Sequence, residues 1–408
     1  MSEIELWNST PSWQTYRDLL DRAARHPAWS QVAHWAIDVL SEELGEQWPE
    51  KATAAEERNQ TTLPLVGALK ALGWHTLALI EAVEWAARFR LIVKAPGAAD
   101  LRRDLARDVS PGRILHSELQ LQTAGLAAYC GWEVQLEPRL PGAERPTDLL
   151  IAAPEAQLTV EARVLTEASA DRAERQWTDR AVDRLTMLAA AHRTWLEGDL
   201  GDPLDEQTVR ELERRIPVEA LAARTGLRPR LTVGSADVQL VRQEDASERL
   251  TAPGPSSNLW PRMASAIAEK AARMADSGAE WLRLIPYNHF FLLTHWAQLP
   301  LAEKLNKLAD EVRSSLSGCI PAGIVISSGA ALHAGDVVEE TIREVGGIAM
   351  RRRVMPLRAR ETLIIPLTEQ SKGTIDAWEA LLDAEATWLP WVLDRFGLPN
   401  VAQILPPV

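Results

Sequence analysis

The stretch that decides the fold is Pro146-Thr147-Asp148-Leu149-Leu150-Ile151-Ala152-Ala153-Pro154-Glu155-Ala156-Gln157-Leu158-Thr159-Val160-Glu161-Ala162-Arg163-Val164-Leu165. Leu149-Leu150-Ile151 is a short apolar run, and Leu158, Val160, Ala162 and Val164 alternate with Gln157, Thr159, Glu161 and Arg163. A period of two marks a strand with one buried face. Ala153-Pro154-Glu155-Ala156 carries turn chemistry between the two runs. The segment is therefore predicted to be a hairpin. With the turn centred on Pro154-Glu155, Asp148 falls opposite Glu161, and directly opposed residues project to the same face. Gln157, Thr159, Glu161 and Arg163 share that face by alternation. A slip of one residue would separate the two carboxylates.

Opposed carboxylates repel unless a cation lies between them. Oxygen-rich sites of this kind suit Mg²⁺ or Mn²⁺, which bind through one or two carboxylates and complete their shells with water and substrate phosphate. The elements just upstream fit the same unit. Ser110-Pro111 is an N-cap followed by proline at the first helical position. A helix is expected from there through Ile114, Leu115, Glu118, Leu119, Leu121, Gln122, Leu126 and Tyr129, with Gly131 able to end it. Trp132 to Glu137 alternates as a half-buried strand does. The order is thus a helix bearing Glu118, a strand, a strand led by Asp148, and a strand with Glu161-Ala162-Arg163.

With those residues in place, the sequence resembles the PD-(D/E)XK nuclease superfamily, the restriction-endonuclease-like fold. The matching segments are His116-Ser117-Glu118-Leu119-Gln120-Leu121, Pro146-Thr147-Asp148-Leu149-Leu150-Ile151 and Thr159-Val160-Glu161-Ala162-Arg163. The resemblance covers about 110–165 and extends more weakly over 257–330, where Trp260 to Asp276 would supply the next core helix and Glu280 to Leu293 the next strand. It implies an α/β fold with a mixed-sheet core and flanking helices. It also implies that Asp148 and Glu161 bind Mg²⁺ or Mn²⁺, with the backbone carbonyl of Ala162 as a further metal ligand and Glu118 assisting through water or a second metal. Such a metal lowers the pKa of a bound water and stabilises charge on the scissile phosphate. The family carries a lysine two residues after the second acid, and here that position is Arg163. Arginine stays protonated, so it can clamp phosphate oxygens but cannot accept a proton. Lys270 on the later helix offers either a relocated lysine or a solvated helix residue. The proline precedes the aspartate by two residues rather than one.

Working outward, the chain is predicted to hold a helical N-terminal domain over 1–108 and a nuclease-like α/β core over 109–165 and 257–370. An insertion of helices and a short hairpin occupies 166–256, and a C-terminal helix 371–408. Within the first region, apolar residues recur at helical spacing over Trp13–Arg25, Trp29–Leu44 and Leu63–Val93. In the insertion, helices are expected over Ala168–Leu196 and Glu206–Ala223, then strands over Arg230–Val233 and Asp237–Val241.

The chain has 408 residues, 46% hydrophobic and 25% charged, which is the balance of a globular protein rather than a disordered one. Its 44 Lys and Arg against 57 Asp and Glu give a net charge of −13, which excludes a chain-wide basic footprint for nucleic acid but not a local groove. Two cysteines, Cys130 and Cys319, cannot build a disulfide framework and fit buried thiols in a reducing cytoplasm. The most apolar stretch, Leu63 to Ile80, contains Lys70 and His75, which fits a buried helix pair rather than a membrane span. Arg351-Arg352-Arg353, with Arg358 and Arg360, is the densest basic run. It suits either a phosphate backbone or a solvated strand edge. His116, two residues before Glu118, reads as a packing residue. Ser327-Ser328-Gly329 lacks the glycines of a nucleophile elbow, and His289 and His295 have no metal-ligand spacing.

Two functions follow. One is a divalent-metal-dependent nuclease acting on DNA or RNA. The other is a catalytically inactive relative that binds nucleic acid or serves as a protein-interaction scaffold. The Trp-rich N-terminal helices would then dock a protein partner or a second copy.

Overall fold

The computed structural model describes residues 11–404 except 24–25, 60–62, 74, 166–168, 202–203, 247–249, 253–258, 287–309, 311–312, 315, 317–319, 328–337, 346–347, 355–360 and 370–371. The protein is α/β and divides into two compact units, residues 1–166 with 261–408, and residues 167–260.

The first unit opens with α1 (Trp13–Ala23), α2 (Pro27–Leu44), α3 (Trp48–Asn59), α4 (Pro64–Ala71), α5 (Thr76–Ile92) and α6 (Ala98–Arg107). Prolines begin α2 and α4, where the missing N–H costs nothing. The run over Leu63–Val93 is two helices, α4 and α5, with Gly73 between them. Helix α7 (Pro111–Tyr129) follows, then strands β1 (Glu133–Leu136), β2 (Leu149–Ala152) and β3 (Gln157–Leu165). The chain returns to this unit in α10 (Leu259–Ser277). It continues through β8 (Trp281–Pro286), β9 (Gly323–Ser327), β10 (Val338–Val345), β11 (Ile348–Val354), β12 (Glu361–Pro366), α11 (Lys372–Arg395) and α12 (Val401–Ile404).

Eight strands form one mixed sheet in the order β1-β2-β3-β8-β9-β12-β11-β10. β1, β2 and β3 are antiparallel neighbours, β3, β8 and β9 run parallel, and β9, β12, β11 and β10 are antiparallel. The hairpin register is the expected one: Leu149 faces Val160, Leu150 faces Thr159 and Ile151 faces Leu158. Leu149, Ile151, Leu158 and Val160 are fully buried in one apolar cluster with α1–α7, Trp281 of β8 and Trp378 and Trp388 of α11. The helices before residue 108 therefore share their core with the sheet, and no boundary between compact units falls there. Gly97 shows how closely these parts meet. Its φ is +84°, and a Cβ there would lie 2.1 Å from the Leu136 carbonyl oxygen of β1.

The second unit contains α8 (Ser169–Ala191), β4 (Thr194–Asp199), α9 (Glu206–Arg224), β5 (Arg230–Val233), β6 (Ala236–Arg242) and β7 (Leu250–Thr251). Its sheet order is β5-β6-β4-β7, and its core includes Leu185, Leu212, Ile216, Val238 and Leu240. The helix expected to reach Leu196 stops at Ala191. Arg193 takes a left-handed φ of 58°, the Thr194 hydroxyl donates back to Ala189 O at 3.0 Å, and the chain leaves as β4 to pair with β6.

The arginine run is not a sheet edge. Arg351–Arg353 lie on β11, between β10 and β12, with Arg352 in register with Glu340 and Arg353 with Glu339. Arg358, Arg360, His289, His295, Cys319, Ser328 and Gly329 lie outside the described residues. Among the described residues, no helix is long and apolar enough to cross a membrane.

Candidate active site

Alternation along β3 sends Val160 into the apolar cluster and Glu161 to the other face. There Glu161 meets α10. Lys270 Nζ lies 2.5 Å from Glu161 Oε2 and 3.7 Å from Asp148 Oδ2, so one ammonium stands against both carboxylates. Asp148, at the entry to β2, has two further partners. The Ala162 N–H donates to its Oδ2 at 2.6 Å, and His116 Nε2 of α7 approaches its Oδ1 at 3.3 Å. Glu161 has a second cation, Arg145 of the β1–β2 loop, whose Nη2 lies 3.3 Å from Oε1.

Glu161 is fully buried, whereas Asp148 is only partly buried, with its side chain 15% exposed. Desolvation first, then the neighbouring Asp148 carboxylate, push the Glu161 pKa up against the pull of Lys270 and Ser277. Desolvation acts on Asp148 in the same sense. The hydrogen bond and charge of His116, the charge of Lys270 and the Ala162 N–H outweigh it and hold Asp148 well below the usual carboxylate range. The site thus keeps one carboxylate firmly ionised beside another that resists ionising.

The donors suit a hard divalent cation. Two carboxylates share a face, and both Glu161 oxygens are sealed from water and face cationic groups without a complete hydrogen bond. Among the described residues no three His, Cys, Asp or Glu side chains converge in metal-holding geometry. A cation held by Asp148 and Glu161 would take its remaining ligands from water or substrate.

The other expected residues fall as follows. Arg163 is two residues along the same strand face and exposed; it makes no ion pair among the described residues. Glu118 is half-buried on α7, on a different side of the helix from His116. Ala162 enters the site through its N–H. Sequence reasoning set His116 aside as a packing residue and left Lys270 between two readings; the structure places both against Asp148. Arg145 sits in a Pro- and Gly-rich loop that carries no readable signal.

Comparison of the chain with protein-family models, with curated proteins and with solved structures yields no match.

Proposed function

We propose that this protein is a divalent-metal-dependent nuclease of the PD-(D/E)XK type, in which Lys270 of α10 stands in for the lysine that Arg163 replaces. The observation that carries this reading is the convergence of Asp148, Glu161 and Lys270. The surrounding order supports it: helix α7, antiparallel β1, β2 and β3, helix α10, then β8 parallel to β3. In this reading those elements make up the restriction-endonuclease-like core that the sequence resemblance implies, and the rest of the sheet and the second unit are additions to it.

In this reading Asp148 and Glu161 hold Mg²⁺ or Mn²⁺. The metal, when bound, supplies an acidified water and a Lewis acid for the phosphodiester. His116 and the Ala162 N–H fix the Asp148 carboxylate so that its oxygens cannot rotate away. Lys270 carries an ammonium beside the carboxylates, where it can orient the attacking water or a phosphate oxygen. Arg163, exposed on the same face, offers a contact to the nucleic-acid backbone.

Purified protein incubated with single- and double-stranded DNA and RNA, with Mg²⁺ or Mn²⁺, tests the reading. Wild type is expected to cleave at least one substrate, and Asp148→Asn to lose at least about a hundredfold in rate. Equal cleavage by the variant would mark the activity as a contaminant. A second reading rests on the same 2.5 Å contact. Here the Lys270 ammonium takes the metal's place for good, and the chain binds nucleic acid or a protein without cutting. Calorimetric titration of Mn²⁺ separates the two, since only the first gives binding that Asp148→Asn removes.

A further inference from the structure

Arg145 belongs to none of the sequence motifs above, yet it is held in place with care. Its Nη2 donates to the carbonyl oxygen of Arg273 at 2.6 Å. The amides of Glu144 and Arg145 donate to Asp276 O at 2.8 and 3.2 Å. Arg273 and Asp276 lie in the last two turns of α10, the negative end of the helix dipole. One helix therefore supplies both cations that face Glu161: Lys270 directly, and Arg145 through the carbonyls that tether its loop.

The two cations are not equivalent. Lys270 lies 2.5 Å from Oε2 with its side chain 17% exposed, whereas Arg145 lies 3.3 Å from Oε1 and is 35% exposed. The Nη2 that faces Oε1 is the same nitrogen that donates to Arg273 O, so that carbonyl holds the guanidinium charge beside Glu161. Whenever it is ionised, a sealed carboxylate beside a second carboxylate needs compensation. A dication arriving at Oε1 would supply it, but would meet the guanidinium charge already there.

Resting on the nuclease reading, we propose that Arg145 is a fixed counter-ion of Glu161, one that neutralises Oε1 in the metal-free protein and opposes the divalent cation there. It is a positioning residue: it sets the metal affinity of the site by holding the position the metal needs.

Titration of Mn²⁺ alone, followed by calorimetry, tests this on the full chain, with Asp148→Asn reporting which binding belongs to the site. Arg145→Gln is expected to bind Mn²⁺ about tenfold more tightly than wild type, and Arg145→Lys, which keeps the charge, to stay within about threefold. Metal-free Arg145→Gln should also melt below metal-free wild type, and saturating Mn²⁺ should close that gap. Arg145→Ser offers a second neutral side chain should the Gln variant not fold. Asp148-dependent binding that the neutral variants leave unchanged or weaken overturns the proposal and leaves the nuclease reading standing. Absence of Asp148-dependent binding in wild type overturns both.

Discussion

At Glu161, a strand whose neighbours bury methyl groups carries a charge into a fully buried position. Burying an acid there is costly unless cations meet it, and the cation that does so most closely comes from a helix rather than from the strand itself. This difference assigns separate tasks to two basic residues. On the proposed nuclease reading, Lys270→Met should lower turnover by about a hundredfold or more, since it removes the ammonium that stands against both carboxylates. Arg163→Ala should leave turnover within about threefold and weaken nucleic-acid binding, reducing the salt slope by about one. Rates and affinities for one substrate across a salt series check this, and the reverse ranking would return the catalytic role to Arg163. Asp148 and Glu161 were legible because hairpin pairing depends on a turn and an alternation that lie within twenty consecutive residues. Lys270 was legible only as a candidate, because which face of α10 meets β3 is decided by tertiary packing. His116 was read as packing because spacing from Glu118 cannot say which side of α7 meets the site.

Elements were legible where apolar period and caps agreed. Pro111 and Gly131 bracket α7, and Pro27 and Pro64 open α2 and α4 as their chemistry requires. The helix α8 was read too long because nothing in Arg193-Thr194-Trp195 breaks a helix outright; Arg193 turns the chain and pairing with β6 claims Thr194 and Trp195. Helices α3 and α6 went unread because each exposes much of its length and buries only a narrow stripe. That stripe still matters for α1, whose Trp13 stacks on Trp48 of α3 at 6.0 Å while Tyr16 is sealed beside Thr53 and Glu56. Burial, chiefly, pushes the Tyr16 phenol from 10.0 up to about 12. Its neutral form therefore contributes stability that is fully present below pH 10 and is lost as pH rises through about 12. Tyr16→Phe removes that loss. The variant is expected to match wild type within about 1 kcal/mol at pH 7 and to exceed it by about 2–3 kcal/mol at the alkaline end. Denaturant melts at pH 7 and above pH 10 check this; a constant difference between the two proteins would show that Tyr16 does not govern the alkaline limb.

At the scale of the whole molecule, Glu161 and Lys270 flank the second unit in sequence, so the site is assembled by segments that the chain separates with an independent core. That core, Leu185, Leu212, Ile216, Val238 and Leu240 among others, shares no residue with the cluster that joins α1–α7 to the sheet. Separate cores imply separate cooperativity, since each unit loses its own buried area when it melts. Leu212 is fully buried in the second unit. Leu212→Ala should cost that unit about 2–5 kcal/mol, from lost transfer energy and the cavity left behind. Scanning calorimetry of wild type should resolve two transitions, and the substitution should lower one and leave the other in place. On the proposed nuclease reading, activity at a temperature below both transitions should stay within about twofold, because among the described residues the groups that meet Asp148 or Glu161 belong to the first unit. A single transition, shifted as a whole by Leu212→Ala, would mean that the two cores melt as one and that the second unit stabilises the fold on which the site is built.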